Sequence, residues 1–210
     1  MNKAAIVIQQ AGVATDGLVL LFHGVGALPA SMVPVGQRLA QAMPRALVVA
    51  VPSPFASDIS AGLQWFSVRG VTEDNRPARV DAVMPLFCDT VRHWQAEAAV
   101  DEEATTLVGF SQGGIMALES TRLARPPAAT VVSFAGRFAV PPDKASAARI
   151  HLLHGEQDGV MPVELARAAA ERLGQLGTSV SLDTLPGIGH EPHPALVDRA
   201  IARLREDATV

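Results

Sequence analysis

The sequence predicts an α/β fold, a mostly parallel, twisted sheet with helices on both faces. Three observations carry this. Apolar runs of strand length alternate with segments of helical period from end to end. The chain has 210 residues, 49% of them hydrophobic and only 18% charged, enough for one well-buried core. No repeat, low-complexity tract or linker interrupts it, so one domain over residues 1–210 is expected.

The elements follow in order. Ala4 to Gln9 and Leu18 to Phe22 read as strands, with a turn from Gly12 to Gly17 between them. Pro34 to Met43 reads as a helix stopped by Pro44, and Ala46 to Val51 as a buried strand stopped by Pro52. Residues 52–77 are irregular and rich in Pro, Ser and Gly, and a loop of that length inside a domain is usually functional or mobile. Ala78 to Val100 is the clearest helix: Val80, Val83, Met84, Phe87, Val91 and Trp94 recur at spacings of three and four, with a kink or late start expected at Pro85. Thr105 to Phe110 is a strand, Gly114 to about Ala124 a helix, and Thr130 to Phe134 and Arg149 to Leu153 are strands. Pro162 to Leu176 is a helix with proline suited to its first turn. Val180 to Leu185 is the last strand and Pro194 to Arg205 the last helix. In such sheets, sites lie at the carboxyl ends of the strands.

Charge and cysteine content exclude several functions. A net charge of −4 offers no excess of positive charge to phosphates, so nucleic acid is not an expected partner. Cys88 is the only cysteine, so neither an intramolecular disulfide nor a cysteine metal cluster is possible, which suits a reducing, cytoplasmic location. No apolar run approaches the length of a membrane span, and the apolar stretch at the N-terminus is too short for a signal peptide. No His and carboxylate spacing matches a metal ligand set, and no dinucleotide-type glycine loop is present, so no cofactor or metal is expected.

The chemistry is concentrated at Gly109-Phe110-Ser111-Gln112-Gly113, between a predicted strand and a predicted helix. Gly-x-Ser-x-Gly in that context is the nucleophile elbow of α/β-hydrolases, a turn that holds the serine hydroxyl out at the top of the sheet. The hydroxyl needs a base, and the base a carboxylate, in the chain order Ser, Asp or Glu, His. Of the four histidines after Ser111, His151 lies inside a strand and His154 precedes every plausible acid. His190, in the glycine-rich loop after the last strand, is the expected base, with His193 the runner-up. Asp158, in the loop after a late strand, is the expected acid; Glu156, Asp143 and Asp183 have weaker contexts.

An oxyanion hole requires two N–H groups aimed at the developing negative oxygen. Gln112 N–H, at a helix start, is one; Val25 N–H, in Phe22-His23-Gly24-Val25-Gly26 after an early strand, is the other. His23 in that loop is expected to brace it.

Those two loops, together with Gln64-Trp65-Phe66, His154-Gly155 through Asp158-Gly159-Val160-Met161-Pro162, and Gly187-Ile188-Gly189-His190, occur in an order that resembles the phospholipase/carboxylesterase family of small serine hydrolases. That family includes acyl-protein thioesterases and bacterial carboxylesterases. The similarity spans about residues 18–205. It implies the triad Ser111, Asp158 and His190, with Val25 and Gln112 as oxyanion donors. It also implies an acyl pocket near Trp65 and Phe66, with Leu28 and Met161 as further apolar walls; core packing is the alternative for each and is favoured for Trp65. Where the family usually has Asp after its His-Gly-x-Gly turn, this chain has Ala27, which bears on how the oxyanion loop is braced. The resemblance leaves monomer and homodimer open.

Only 47 residues separate Ser111 from Asp158, leaving no room there for a large lid domain. The expected function is therefore hydrolysis of short- to medium-chain acyl esters, small molecules, through an acyl-serine intermediate. A thioesterase with the same triad is the alternative, and a non-catalytic binding protein on the same fold a remote one.

Overall fold

The computed structural model describes residues 4–10 and 15–209. Its strands are β1 (Ile6–Gln9), β2 (Gly17–Phe22), β3 (Ala46–Val51), β4 (Phe55–Ala56), β5 (Leu63–Gln64), β6 (Thr105–Phe110), β7 (Thr130–Phe134), β8 (Arg149–Gly155) and β9 (Val180–Leu185). Its helices are α1 (Val33–Ala42), α2 (Arg76–Ala98), α3 (Gln112–Ser120), α4 (Val163–Gln175) and α5 (Pro194–Asp207). Seven strands form one sheet in the order β1-β3-β2-β6-β7-β8-β9, parallel throughout except for antiparallel β1. This is the fold class that the alternation of strands and helices predicts.

Strands β2 and β3 are apolar on every residue because both of their faces are covered. Leu18, Leu20 and Phe22 of β2 pack on one side with Val80, Phe87 and Val91 of α2 and Met116 of α3. Val19 and Leu21 point the other way, into a second core with Val35 and Leu39 of α1 and Leu196, Val197 and Ala200 of α5. Each fully buried Leu or Phe in these two cores contributes about 1.5–3 kcal/mol.

The helical stripe read for α2 is the one that is buried: Val80, Met84, Phe87 and Val91 are inside, and Val83 and Trp94 are half-buried. Pro85 lies on the exposed face, and the helix runs through it. The helix starts two residues before the expected boundary, with Pro77 in its first turn. The expected strand from Ala4 is shorter, beginning at Ile6. Part of the expected Gly12–Gly17 turn, residues 11–14, lies outside the described residues. Segment 52–77 is not wholly irregular: β4 and β5 form a small antiparallel hairpin within it. No described helix is long and apolar enough to cross a membrane.

The strand order brings four chain segments to one end of the sheet. Ser111 follows β6, Asp158 follows β8, His190 follows β9, and the His23–Gly26 loop follows β2. Between Ser111 and Asp158 the regular elements are α3, β7 and β8 alone.

Candidate active site

Ser111 has φ 53° and ψ −116°, a strained conformation for a residue with a Cβ. The turn is tight enough to require its flanking glycines. A Cβ on Gly109 would sit 2.4 Å from Gly113 O, and one on Gly113 would sit 2.2 Å from Phe22 O. The Ser111 N–H donates to Phe134 O on β7 (3.0 Å), and the Ser111 carbonyl accepts from Ile115 N–H (2.9 Å). The elbow is thus fixed both to the sheet and to its own helix, and α3 begins at Gln112 directly after the serine, two residues earlier than the sequence suggests.

The hydroxyl meets a histidine and the histidine a carboxylate. Ser111 Oγ lies 2.9 Å from His190 Nε2, and His190 Nδ1 lies 2.7 Å from Asp158 Oδ2. The other carboxylate oxygen, Oδ1, accepts the N–H groups of Val160 and Met161, each at 2.8 Å. Burial pushes the Asp158 carboxyl up, but the Met161 N–H, the His190 ring and the Val160 N–H outweigh it and hold the carboxyl below its ordinary value. Asp158 therefore remains an anion. It fixes the proton of His190 on Nδ1 and leaves Nε2 free to accept from the serine.

The loops carrying Asp158 and His190 are locked together. Gln157 N–H donates to Ile188 O (2.9 Å) and Glu156 N–H to Leu185 O (3.0 Å). A Cβ on Gly155 would lie 2.3 Å from Ile188 O, so only glycine permits this approach. His154 adds a support that the sequence reading set aside. Its Nε2–H donates to Met161 O (2.8 Å) and lies 3.3 Å from Asp158 Oδ2, which ties both arms of the acid's turn to the end of β8.

A serine, histidine and carboxylate in this geometry, on this sheet, fit the family that the motif order suggested, and comparison with protein families matches residues 3–206 to phospholipase/carboxylesterase. The chain belongs to the phospholipase/carboxylesterase family. Among its relatives is "Esterase YpfH" of Escherichia coli, 46% identical over 206 residues, which cover 98% of this chain and 89% of that one. "Acyl-protein thioesterase 1" of Gibberella zeae is 28% identical over 53% of this chain and 52% of its own. Among solved structures, that of esterase PE8 superposes with a TM-score of 0.86 at 27% identity, covering 97% of this chain and 98% of the other. The Bacillus cereus carboxylesterase shares the fold, with a TM-score of 0.80 at 14% identity over 96% and 93% of the two chains.

This phospholipase/carboxylesterase chain braces its His23–Gly26 loop through its own residues. His23 is buried, and its Nδ1–H donates to Gly24 O (2.8 Å). Its Nε2 is left as an acceptor for Ser53, whose N–H lies at 3.2 Å and whose hydroxyl lies at 2.9 Å. Gly26 N–H donates to Leu63 O (2.8 Å), Leu63 N–H donates to Ala27 O (2.8 Å), and Ser60 Oγ–H donates to Gly26 O (2.8 Å). Alanine at position 27 is therefore no defect: the backbone pairing with β5 holds the loop. A Cβ on Gly24 would lie 3.3 Å from Ser111 Cβ, so the loop packs directly against Ser111.

Burial holds the His23 imidazole below its ordinary value, against the opposing effect of its bond to Gly24. The unfolded chain then takes up a proton near pH 6.5 that the folded chain refuses. Stability from this residue is complete above about pH 6.5 and falls as pH drops toward the lower folded value. We expect His23→Gln to flatten the fall in unfolding free energy between about pH 7.5 and 5.5 in urea titrations. An unchanged slope would contradict it.

The other candidates have different partners. His151 is buried between Ser181 Oγ (2.8 Å) and Asp207 Oδ2 (2.9 Å). His193 caps α5, accepting Ala195 N–H at 3.2 Å. Glu156 accepts from Thr184 (2.8 Å), Asp183 pairs with Arg203 (3.0 Å), and Asp143 faces Arg122 (3.7 Å).

A cavity of about 620 Å³ opens on Ser111, with Val25, Gln112, Phe66 and Met161 in its wall. Leu28 and Trp65, both named as pocket candidates, do not line it, and for Trp65 this is the packing role that was favoured. Trp65 is in the core, edge-on to Phe22 and Phe87, because its loop turns the indole under the sheet end rather than toward the serine. The Gln112 side chain holds that loop: its Oε1 accepts Trp65 N–H and its Nε2 donates to Phe66 O, both at 2.8 Å. This role was invisible in the sequence, where only the backbone of Gln112 had a function. Val68, Val71, Ile115, Val160 and Leu165 supply the apolar surface that the sequence reading did not find.

Proposed function

We propose that this protein is a single-domain serine carboxylesterase that hydrolyses short- to medium-chain acyl esters. The observation that carries the reading is the continuous chain from Ser111 Oγ through His190 to Asp158, at 2.9 and 2.7 Å. Membership of the phospholipase/carboxylesterase family and the 46% identity to a relative named an esterase support the same reaction.

His190 Nε2 takes the proton as Ser111 Oγ attacks the ester carbonyl. The oxyanion formed is received by the N–H groups of Gln112 and Val25. As the first residue of α3, Gln112 has no partner for its N–H within the helix, and both residues face the serine's cavity. Collapse expels the alcohol, which leaves with the proton held on His190. Water, deprotonated by the same nitrogen, then cleaves the acyl-serine to release the acid and restore the hydroxyl.

The cavity is of ordinary size for a small-molecule site, and Val160 in its wall is exposed. We expect activity on p-nitrophenyl acetate and butyrate to exceed that on octanoate per active site. A steady rise in kcat/KM through octanoate and beyond would overturn the chain-length assignment. The same triad serves a thioester, and the partial match to an acyl-protein thioesterase keeps that reading in view. Matched ester and thioester pairs separate the two: a thioester preference beyond the intrinsic difference in reactivity would reverse the order.

A further inference from the structure

The cavity at Ser111 is apolar along most of its wall, yet two arginines and one glutamate also line it. A pocket built only for an alkyl chain has no use for them, since charges near an apolar surface cost free energy unless they are paired. Arg76 and Arg137 are each 14% exposed, whereas Glu73 is 65% exposed. Glu73 is shared: Arg137 holds it with two bonds (3.0 and 2.5 Å), and Arg76 Nη1 lies 2.7 Å from the same carboxylate. Arg76 Nη1 is nonetheless buried without an acceptor in hydrogen-bonding geometry. The cluster carries one net positive charge, and Arg76 is the first residue of α2, where the helix dipole adds to it.

Other bonds also hold its loop. Arg79 Nη1 already binds Ser67 O (2.6 Å) and Arg69 O (2.9 Å). Thr72 and Asn75 exchange bonds, Asn75 Oδ1 accepting Thr72 N–H (2.9 Å) and Thr72 Oγ1 accepting Asn75 N–H (3.3 Å). Arg137 is presented from the other side, on the turn after β7, where Ala135 adopts φ 49°.

We propose that Arg76 and Arg137 bind a carboxylate carried by the substrate, so that the enzyme prefers esters bearing a second, anionic group. This rests on the esterase reading above. The guanidinium donors supply charge-assisted bonds to the anion, while the apolar wall takes the chain between it and the ester. The carboxylate belongs either to the acyl part, as in a monoester of a dicarboxylic acid, or to the alcohol.

Two matched pairs of substrates test this. p-Nitrophenyl hexanoate and the mono-p-nitrophenyl ester of adipic acid differ only by methyl against carboxylate at the acyl end. The butyrates of 4-hydroxybenzamide and 4-hydroxybenzoate differ in the same sense on the alcohol. Rates are corrected for spontaneous hydrolysis. In one pair we expect kcat/KM to favour the anion by about tenfold or more, the scale of one charge-assisted hydrogen bond. The pair that responds identifies the side. Arg76→Leu and Arg137→Leu should each erase the ratio, mainly through KM, and added salt should reduce it. Glu73→Gln keeps both arginines and should widen the ratio, whereas a purely structural cluster would lose activity on both members of a pair alike. Neutral esters favoured in both pairs, or an advantage that survives both arginine substitutions, would overturn the proposal. Hydrolysis of neutral esters without an anionic preference would sink this proposal alone, and hydrolysis of no ester would sink the reading beneath it.

Discussion

Ser111→Ala is expected to lower ester hydrolysis by about 10⁴-fold or more while leaving the fold intact. The loss follows from geometry: the only oxygen within reach of His190 Nε2 in the triad is Ser111 Oγ, at 2.9 Å. Without it no acyl-enzyme forms, and what remains comes from the oxyanion donors and binding. The substitution also removes no bond to the surrounding framework, because among the described residues that hydroxyl bonds to His190 alone. Circular dichroism and thermal unfolding should therefore match the wild type. Retained turnover at even a tenth of the original rate would show that the nucleophile lies elsewhere.

Asp158→Asn has the second largest expected effect, roughly 10³- to 10⁴-fold in kcat. Here the surroundings decide which way the amide sits. Oδ1 accepts two backbone N–H groups, from Val160 and Met161, so the asparagine oxygen is held at that position. Its NH₂ group then faces His190 Nδ1. A donor there forces the imidazole proton onto Nε2, the atom that must accept from Ser111. The variant keeps its fold and loses its base. Asp158→Ala removes the donor problem along with the support, and it should retain more activity than the asparagine variant. An asparagine variant more active than the alanine one would contradict this account of Asp158.

Four strands of the sheet were legible to the residue, the half-buried edge strand β9 among them. β3, β6, β7 and β9 begin and end at the expected residues, because Pro52, the elbow glycine pair and the late glycine loops punctuate them in the sequence. The β4–β5 hairpin was not legible: two-residue strands leave no period to read. Pro77 marked the true start of α2, a signal outweighed by the apolar stripe that begins at Val80.

The convergence of Ser111, Asp158 and His190 was readable because the chain order and the strand-to-loop positions constrain each residue separately. The remainder of the site depends on contacts that no local pattern encodes. Gln112 reaches a loop 47 and 46 residues earlier, and Arg137 meets Glu73 across 64 residues. Trp65 and Phe66 are neighbours with opposite fates, one packed in the core and one in the cavity wall. The sequence named both as pocket candidates, with packing favoured for Trp65 and the two roles even for Phe66, because it gives no direction for a side chain in an irregular loop.

The most direct test of the central claim is covalent. Wild-type protein treated with an alkyl fluorophosphonate, digested and mapped by tandem mass spectrometry should carry one adduct, on Ser111, with esterase activity lost in proportion to labelling. Labelling at a different residue, or full labelling of Ser111 with activity intact, would contradict the assignment of Ser111 as the nucleophile.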